Sequence, residues 1–376
     1  MPTSSHEEAR RLIQLTPPGR GAIATVRVEG PAAVEAVGRH FRAGNGRRLS
    51  TLPADRLVIG QFGGKDGEPG EEVVVRRCAD GAVEVHCHGG RAAIGRIEEL
   101  LAAIGFQTVP WRDWAADSCG DPFAAEALVG LADACTERTA AILLDQYHGA
   151  LRRALDEIQE AAAGGRRGVA RRQIDVLLGR AELGRHLVQP WRVVFGGPAN
   201  VGKSTLINAL LGYGRLIVHP APGTTRDAVT ALTAIDGWPV ELCDTAGLRA
   251  EAAPRSDDPL GPVEAQGIRL AQQRLAEADL AVLVFDQSVA WSNNEERLWR
   301  QWPGAAVVHN KADLPPAPGP RPAGARVSAL EGQGLSALLG LISSRLVPNP
   351  PPPGAGVPIS EQQLQTIRDQ GLGIRD

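Results

Sequence analysis

Gly197-Pro198-Ala199-Asn200-Val201-Gly202-Lys203-Ser204 fits G-x-x-x-x-G-K-[ST] without a mismatch, and it limits what this 376-residue chain can fold into more than any other stretch. The pattern needs a strand before it and a helix after it. Trp191 to Phe195 reads as a short apolar strand and Thr205 to Leu211 as an apolar helix stopped by Gly212. In such a loop glycines allow positive φ and close approach. The N–H groups of Gly197 and of Asn200 through Thr205 surround phosphate oxygens, Lys203 reaches the outer oxygens, and Ser204 ligates Mg²⁺.

Three further segments follow in order. Pro222-Gly223-Thr224-Thr225-Arg226-Asp227 offers threonines to a closing loop, with Thr225 as the Mg²⁺ and γ-phosphate contact. Val240 to Asp244 reads as a buried strand that delivers Asp244 to Mg²⁺ through water and brings the Gly247 N–H to the γ-phosphate, 40 residues beyond Ser204. Asn310-Lys311-Ala312-Asp313 follows the strand Ala305 to Val308. A carboxylate such as Asp313 accepts from both the ring N–H and the exocyclic amine of guanine, a donor pair adenine lacks, so GTP and GDP are the expected ligands. Ser328 and Ala329 add a further contact to the base. This order predicts a P-loop GTPase domain with a doubly wound, mostly parallel sheet.

Composition excludes more than it assigns. The net charge is −3 with 22% charged residues, so a contact to nucleic acid must be local. The amino terminus has neither a basic nor an apolar leader region, and no apolar run reaches membrane-spanning length; a cytoplasmic protein without a membrane partner is expected. Five cysteines without a C-x-x-C pair argue against a disulfide framework. Only three lysines occur, and two of them, Lys203 and Lys311, lie in the nucleotide motifs.

Along the rest of the chain, 1–112 reads as an α/β domain with strands at Ala22 to Val28, Leu57 to Phe62, Glu72 to Arg77 and Val83 to His88, and helices at Ala32 to Phe41 and Ala92 to Ile104. Residues 113–189 read as an α-helical middle domain of two or more long helices, 190–347 as the GTPase domain, and 348–376 as a proline-rich linker with a short tail, helical from Ser360 to Arg368. His86 and His88 converge on one strand face, but no further ligands are spaced to close a metal site.

In Ras-type sites a glutamine after Asp-x-x-Gly orients the attacking water. Here Leu248 stands at that position, so the polar group and the positive charge must come from elsewhere. Asn200 in the loop, Pro-Gly-Thr-Thr-Arg-Asp, Asp-Thr-Ala-Gly-Leu-Arg and Val263-Glu264-Ala265-Gln266-Gly267-Ile268 together resemble the MnmE (TrmE) tRNA-modification GTPases. The resemblance implies G domains that pair across the nucleotide in a homodimer, K⁺ held by Asn200, and Glu264 acting through water. The family's potassium loop commonly begins with threonine, where this chain has His219-Pro220-Ala221-Pro222. Glu264 would equally suit a solvated helix start.

Thr16-Pro17-Pro18-Gly19-Arg20-Gly21 and Val85-His86-Cys87-His88-Gly89-Gly90 resemble the family's amino-terminal signatures. They imply a folate-type dimerisation domain with a tetrahydrofolate derivative contacted by Arg20, or else Arg20 as a solvated turn residue. Ala125 to Leu128, Thr136 and Gln146 to Gly149 match the helical region, whereas Gly-Glu-Phe-Thr is replaced by Trp111 to Phe123. Arg166, Arg167, Arg171 and Arg172 suit either RNA phosphate or a solvated helix junction. The implied role is modification of the wobble uridine of tRNA with an MnmG-like flavoprotein. The family's final Cys-x-Gly-Lys has no counterpart in Leu372 to Asp376. A GTP-gated dimerisation switch or assembly factor without tRNA chemistry is therefore the alternative.

Overall fold

A computed structural model describes residues 9–17, 21–64, 70–213, 215–216, 230–245, 269 and 271–373. They fall into two compact units, Met1–Gly120 and Asp121–Asp376.

In the first unit β1 (Arg11–Gln14), β2 (Ile23–Glu29), α1 (Ala33–His40), β3 (Phe41–Ala43), β4 (Leu57–Phe62), β5 (Glu71–Arg77), β6 (Val83–His88), α2 (Arg91–Ala102), β7 (Gln107–Thr108) and α3 (Trp111–Ser118) follow in order. The sheet runs β3-β4-β5-β6-β2-β1-β7, antiparallel except between β1 and β7. Strict alternation of exposed and buried residues in β4 is the pattern of a sheet covered on one face. The core joins Val26, Val28, Phe62, Val75 and Val85 to Val37 of α1 and Ile97 and Leu101 of α2. The expected strands and helices are present within a residue or two; β1, β3 and β7, each four residues or fewer, were not expected. Gly89 donates its N–H to Ala22 O at 3.2 Å, and a Cβ on it would meet Gly21 O at 2.0 Å. The two amino-terminal signature stretches thus meet backbone to backbone.

The second unit opens with α4 (Pro122–Asp133), α5 (Glu137–Tyr147), α6 (Ala150–Ala163), α7 (Arg167–Leu178) and α8 (Ala181–Arg185). Asp121 caps α4 through the Phe123 N–H with Pro122 at its first position, and Thr136 caps α5 through the Thr139 N–H. Where two or more long helices were expected there are five, the longest of 14 residues, with one break at Gly164-Gly165.

An α/β layer follows: β8 (Trp191–Gly196), α9 (Lys203–Tyr213), β9 (Arg215–Leu216), β10 (Thr230–Ile235), β11 (Trp238–Asp244), β12 (Leu280–Asp286), α10 (Asn293–Gln301), β13 (Ala306–Asn310), β14 (Ala325–Arg326) and α11 (Leu335–Leu346). Strand order is β14-β13-β12-β8-β11-β10-β9; the first five are mutually parallel, and β10 is antiparallel to both neighbours. Val193, Val194 and Phe195 of β8 are fully buried, as a central strand covered on both faces requires. Each such side chain contributes about 1.5–3 kcal/mol relative to leaving it in water.

After α11 the chain returns to the helices and ends in α12 (Glu361–Gly373). The Gln146 amide donates to Ala355 O and accepts from the Val357 N–H, both at 3.0 Å, while Arg180 donates to Gly356 O at 2.8 Å. Leu364 and Ile367 then complete an apolar cluster with Leu151, Leu155, Ile158 and Ile174. The stretch expected as a linker and tail is thus an integral wall of the helical body.

Candidate nucleotide site

β8 is central, and the loop after it emerges at the carboxyl end of the parallel strands, where open α/β sheets bind ligands. Gly197 has φ 138° and a Cβ there would meet Val284 O at 2.2 Å, so only glycine fits. Gly202, at φ 90°, leaves no room for a Cβ beside Asn310 Nδ2, 2.5 Å away. Lys203 is 6% exposed, and its ammonium donates to Pro198 O at 2.7 Å and Gly197 O at 3.2 Å, on the inner side of the loop. The Ser204 hydroxyl donates to the Asp244 carboxylate. Thr245 fixes the end of β11 by donating to Phe195 O at 2.9 Å.

The donor set fits Mg²⁺, a hard cation satisfied by a hydroxyl, a carboxylate and water. The adjoining cavity of about 750 Å³ is lined by Gly197 through Asn200, Gly202 through Thr205, and Thr245. Asn200, exposed and left-handed at φ 63°, lies on its wall.

The base side is built from β13 and the turn after β14. Asn310 is 2% exposed; its amide donates to Val201 O at 2.9 Å and accepts from the Ala329 N–H at 3.1 Å. Both ends of this side chain are spent on backbone, so it joins the phosphate loop to the base loop. Ser328 donates to Asp313 Oδ1 at 2.5 Å and accepts from the Glu331 N–H. Lys311, at φ 63°, places its ammonium 2.6 Å from Asp286. Burial alone would raise the Asp286 carboxyl, but Lys311 and Ser288 hold it below the usual carboxylate range. Asp286 ends β12 and went unremarked in the sequence; its apolar run ending in one acid at a strand terminus was the available signal.

Of the expected site residues, Gly197, Asn200, Gly202, Lys203, Ser204, Thr205 and Asp244 meet around the cavity and its end, and Val201, Asn310, Lys311, Asp313, Ser328 and Ala329 meet beside them. Arg20, Thr224, Thr225, Gly247, Leu248 and Glu264, together with the His219 loop, lie outside the described residues. His86 bonds Thr25 Oγ1 at 2.9 Å and His88 bonds Glu71 at 2.6 Å. Burial, with Glu241 beside it, pushes the Cys243 thiol up to about 12, so it carries no thiolate beside the site.

A family model described as 50S ribosome-binding GTPase matches residues 192–311. The tRNA modification GTPase MnmE of Geobacillus kaustophilus (strain HTA426) is 33% identical over 340 aligned positions, covering 80% of this chain and 72% of the relative. That of Synechococcus sp. (strain CC9605) is 32% identical over 367 positions, covering 87% and 79%. Among solved structures, Aquifex aeolicus Era bound to GDP.AlF4- is 26% identical over 43% of this chain and 58% of that chain, with a TM-score of 0.31.

Proposed function

The chain belongs to the MnmE family of tRNA modification GTPases, and from that premise we propose that it couples GTP hydrolysis to modification of the wobble uridine of tRNA. It hydrolyses GTP to GDP and phosphate. The observation that carries the reading is the Asn310 amide, bonded at once to the phosphate loop and to the base loop.

The phosphate loop holds the triphosphate through its N–H groups, and Lys203 exchanges its two carbonyl partners for phosphate oxygens. Asp313 accepts from guanine while Ser328 fixes its other oxygen's orientation. Ser204, Thr225 and, through water, Asp244 would hold Mg²⁺, which would neutralise charge at the phosphates. Glu264 orients the attacking water in place of the glutamine that Leu248 replaces. Asn200 would hold a K⁺ ion that would supply the positive charge, and G domains of two copies would pair across the nucleotide. Residues 1–112 form the folate-type domain, with Arg20 at a tetrahydrofolate derivative, 113–189 the helical domain and 190–347 the GTPase domain. An MnmG-like flavoprotein is the partner, and the cytoplasm the location.

The test is the tRNA of a strain lacking the gene. Unmodified wobble uridines are expected, restored by the wild-type chain. Fully modified uridines would refute the coupling and leave a GTP-driven switch.

A further inference from the structure

Several arginines of the amino-terminal unit are paired with acids. On the sheet, Arg11 pairs with Asp117, Arg27 with Glu29 and Arg76 with Asp55. At the end of α1 the pattern changes. Between Glu35 and Asp55 the sequence has no acid, yet it carries Arg39, His40, Arg42, Arg47 and Arg48. All four arginines are exposed and line one concavity of about 610 Å³, where Glu35 is the only acid among the described residues. Arg39, Arg47 and Arg48 form no ion pair among the described residues.

The backbone beneath them is fixed. Gly46 donates to Ala43 O at 2.9 Å, the Arg47 N–H bonds the Asn45 side chain at 3.1 Å, and Thr51 Oγ1 bonds Arg48 O at 2.8 Å. Arg77 clamps Ser50 O and Leu52 O from below. The charge is felt locally: burial first, then Arg39 and Arg96, holds the His40 imidazole below its usual range. A position in the last turn of α1 suits Arg39 to the helix dipole, but Arg47 and Arg48 lie beyond any helix of that kind.

We propose that this concavity, formed by the end of α1, β3 and the turn after it, binds the phosphodiester backbone of RNA. On the tRNA reading above, on which the proposal rests, that RNA is tRNA. Guanidinium forks match phosphate oxygens two at a time. The one aromatic residue of the lining, Phe41, is buried, so the surface reads backbone and does not stack bases. With a net charge of −3 the chain has no general attraction for polyanions, and a concentrated patch confines the contact to one place.

The experiment is filter binding of an unmodified tRNA transcript to the full chain between 50 and 300 mM KCl, salt concentrations spanning roughly the range over which counterion release is read. The variant Arg39→Gln/Arg42→Gln/Arg47→Gln/Arg48→Gln should lose at least about tenfold in affinity and flatten the log K against log salt slope by about 3, near 0.7–0.9 per lost phosphate contact. Its GTPase rate and Tm should match wild type. The matched control, Arg166→Gln/Arg167→Gln/Arg171→Gln/Arg172→Gln, should keep its affinity within about twofold. Wild-type binding with an unchanged slope in the first variant, or loss in the control instead, overturns the proposal while leaving the tRNA reading intact. A wild-type chain that binds no tRNA at any salt refutes the tRNA reading itself. If the fourfold variant unfolds, Arg47→Gln/Arg48→Gln, in the exposed turn, decides by the same slope, with a change of about 1.5 expected.

Discussion

Asp313 illustrates how much specificity one carboxylate holds. One of its oxygens already accepts from Ser328, so its position is set before any base arrives. Asp313→Asn replaces an acceptor by a donor facing guanine's own donors. GTP affinity should fall about 100-fold, with xanthosine triphosphate now preferred, as read by nucleotide titration. Asn200 tests the charge at the other end of the site: Asn200→Ala should bring the GTPase rate in K⁺ down to the rate in Na⁺ while nucleotide affinity stays within a few fold. Equal wild-type rates in the two salts would remove K⁺ from the reading. Gly197, Lys203, Ser204 and Asp313 were legible because phosphate and guanine impose fixed chemistry at fixed spacing. The bracing residues were not. Asp286 under Lys311, and Asn310 as a brace spanning both loops, depend on which strand ends lie side by side, and spacing along one chain does not carry that.

At the level of elements, period and punctuation were enough for the long strands and for α1 and α2 of the first unit, though not for α3. They failed for β1, β3 and β7, whose short length leaves no period to read and whose pairing is set by distant partners. The β10–β11 hairpin carried a signal that was passed over: Asp236-Gly237, at φ 50° and 76°, is the dipeptide that two-residue hairpins favour. Arg138 of α5 seals that turn, donating to Asp236 O at 2.6 Å and lying 4.2 Å from the Trp238 ring. The return segment is held as tightly. A Cβ on Gly184 of α8 would come within 1.7 Å of Pro358 O. Gly184→Ala should therefore cost about 2–3 kcal/mol and lower Tm by roughly 5–10 °C, measured by calorimetry. An unchanged Tm would mean that residues 354–359 do not seat against α8.

At the scale of the whole molecule, three imidazoles among the described residues link folding to proton uptake. Burial is the largest influence on His40, His186 and His309, and it holds each below its usual range. His186 stacks on Trp191 with centroids 3.7 Å apart; Asp279 at 3.4 Å favours its charged form, but burial outweighs it, with Glu182 acting like Asp279 and Arg185 against them. His309 Nδ1 is buried without a hydrogen-bond partner, which leaves an added proton nowhere to donate. Below about pH 6.5 the unfolded chain takes up protons that the folded chain refuses. Stability should be full above that pH and fall as pH drops through it, seen as a lower Tm at pH 5.5 than at 7.5; His186→Phe should flatten part of the slope. A Tm independent of pH over that interval would contradict the neutral, buried assignment.

The helical body is assembled from residues 121–190 and again from 354–373, with the nucleotide-binding layer encoded between them. During synthesis this imposes an order of events. The amino-terminal unit and then the nucleotide layer emerge with all their own strands, while Leu151, Leu155 and Ile158 wait about two hundred residues for Leu364 and Ile367. Until those last turns leave the ribosome, an apolar face of α6 and α7 stays open to water or to a chaperone. A chain cut short between α11 and α12 would thus carry a complete nucleotide layer beside helices marked for triage.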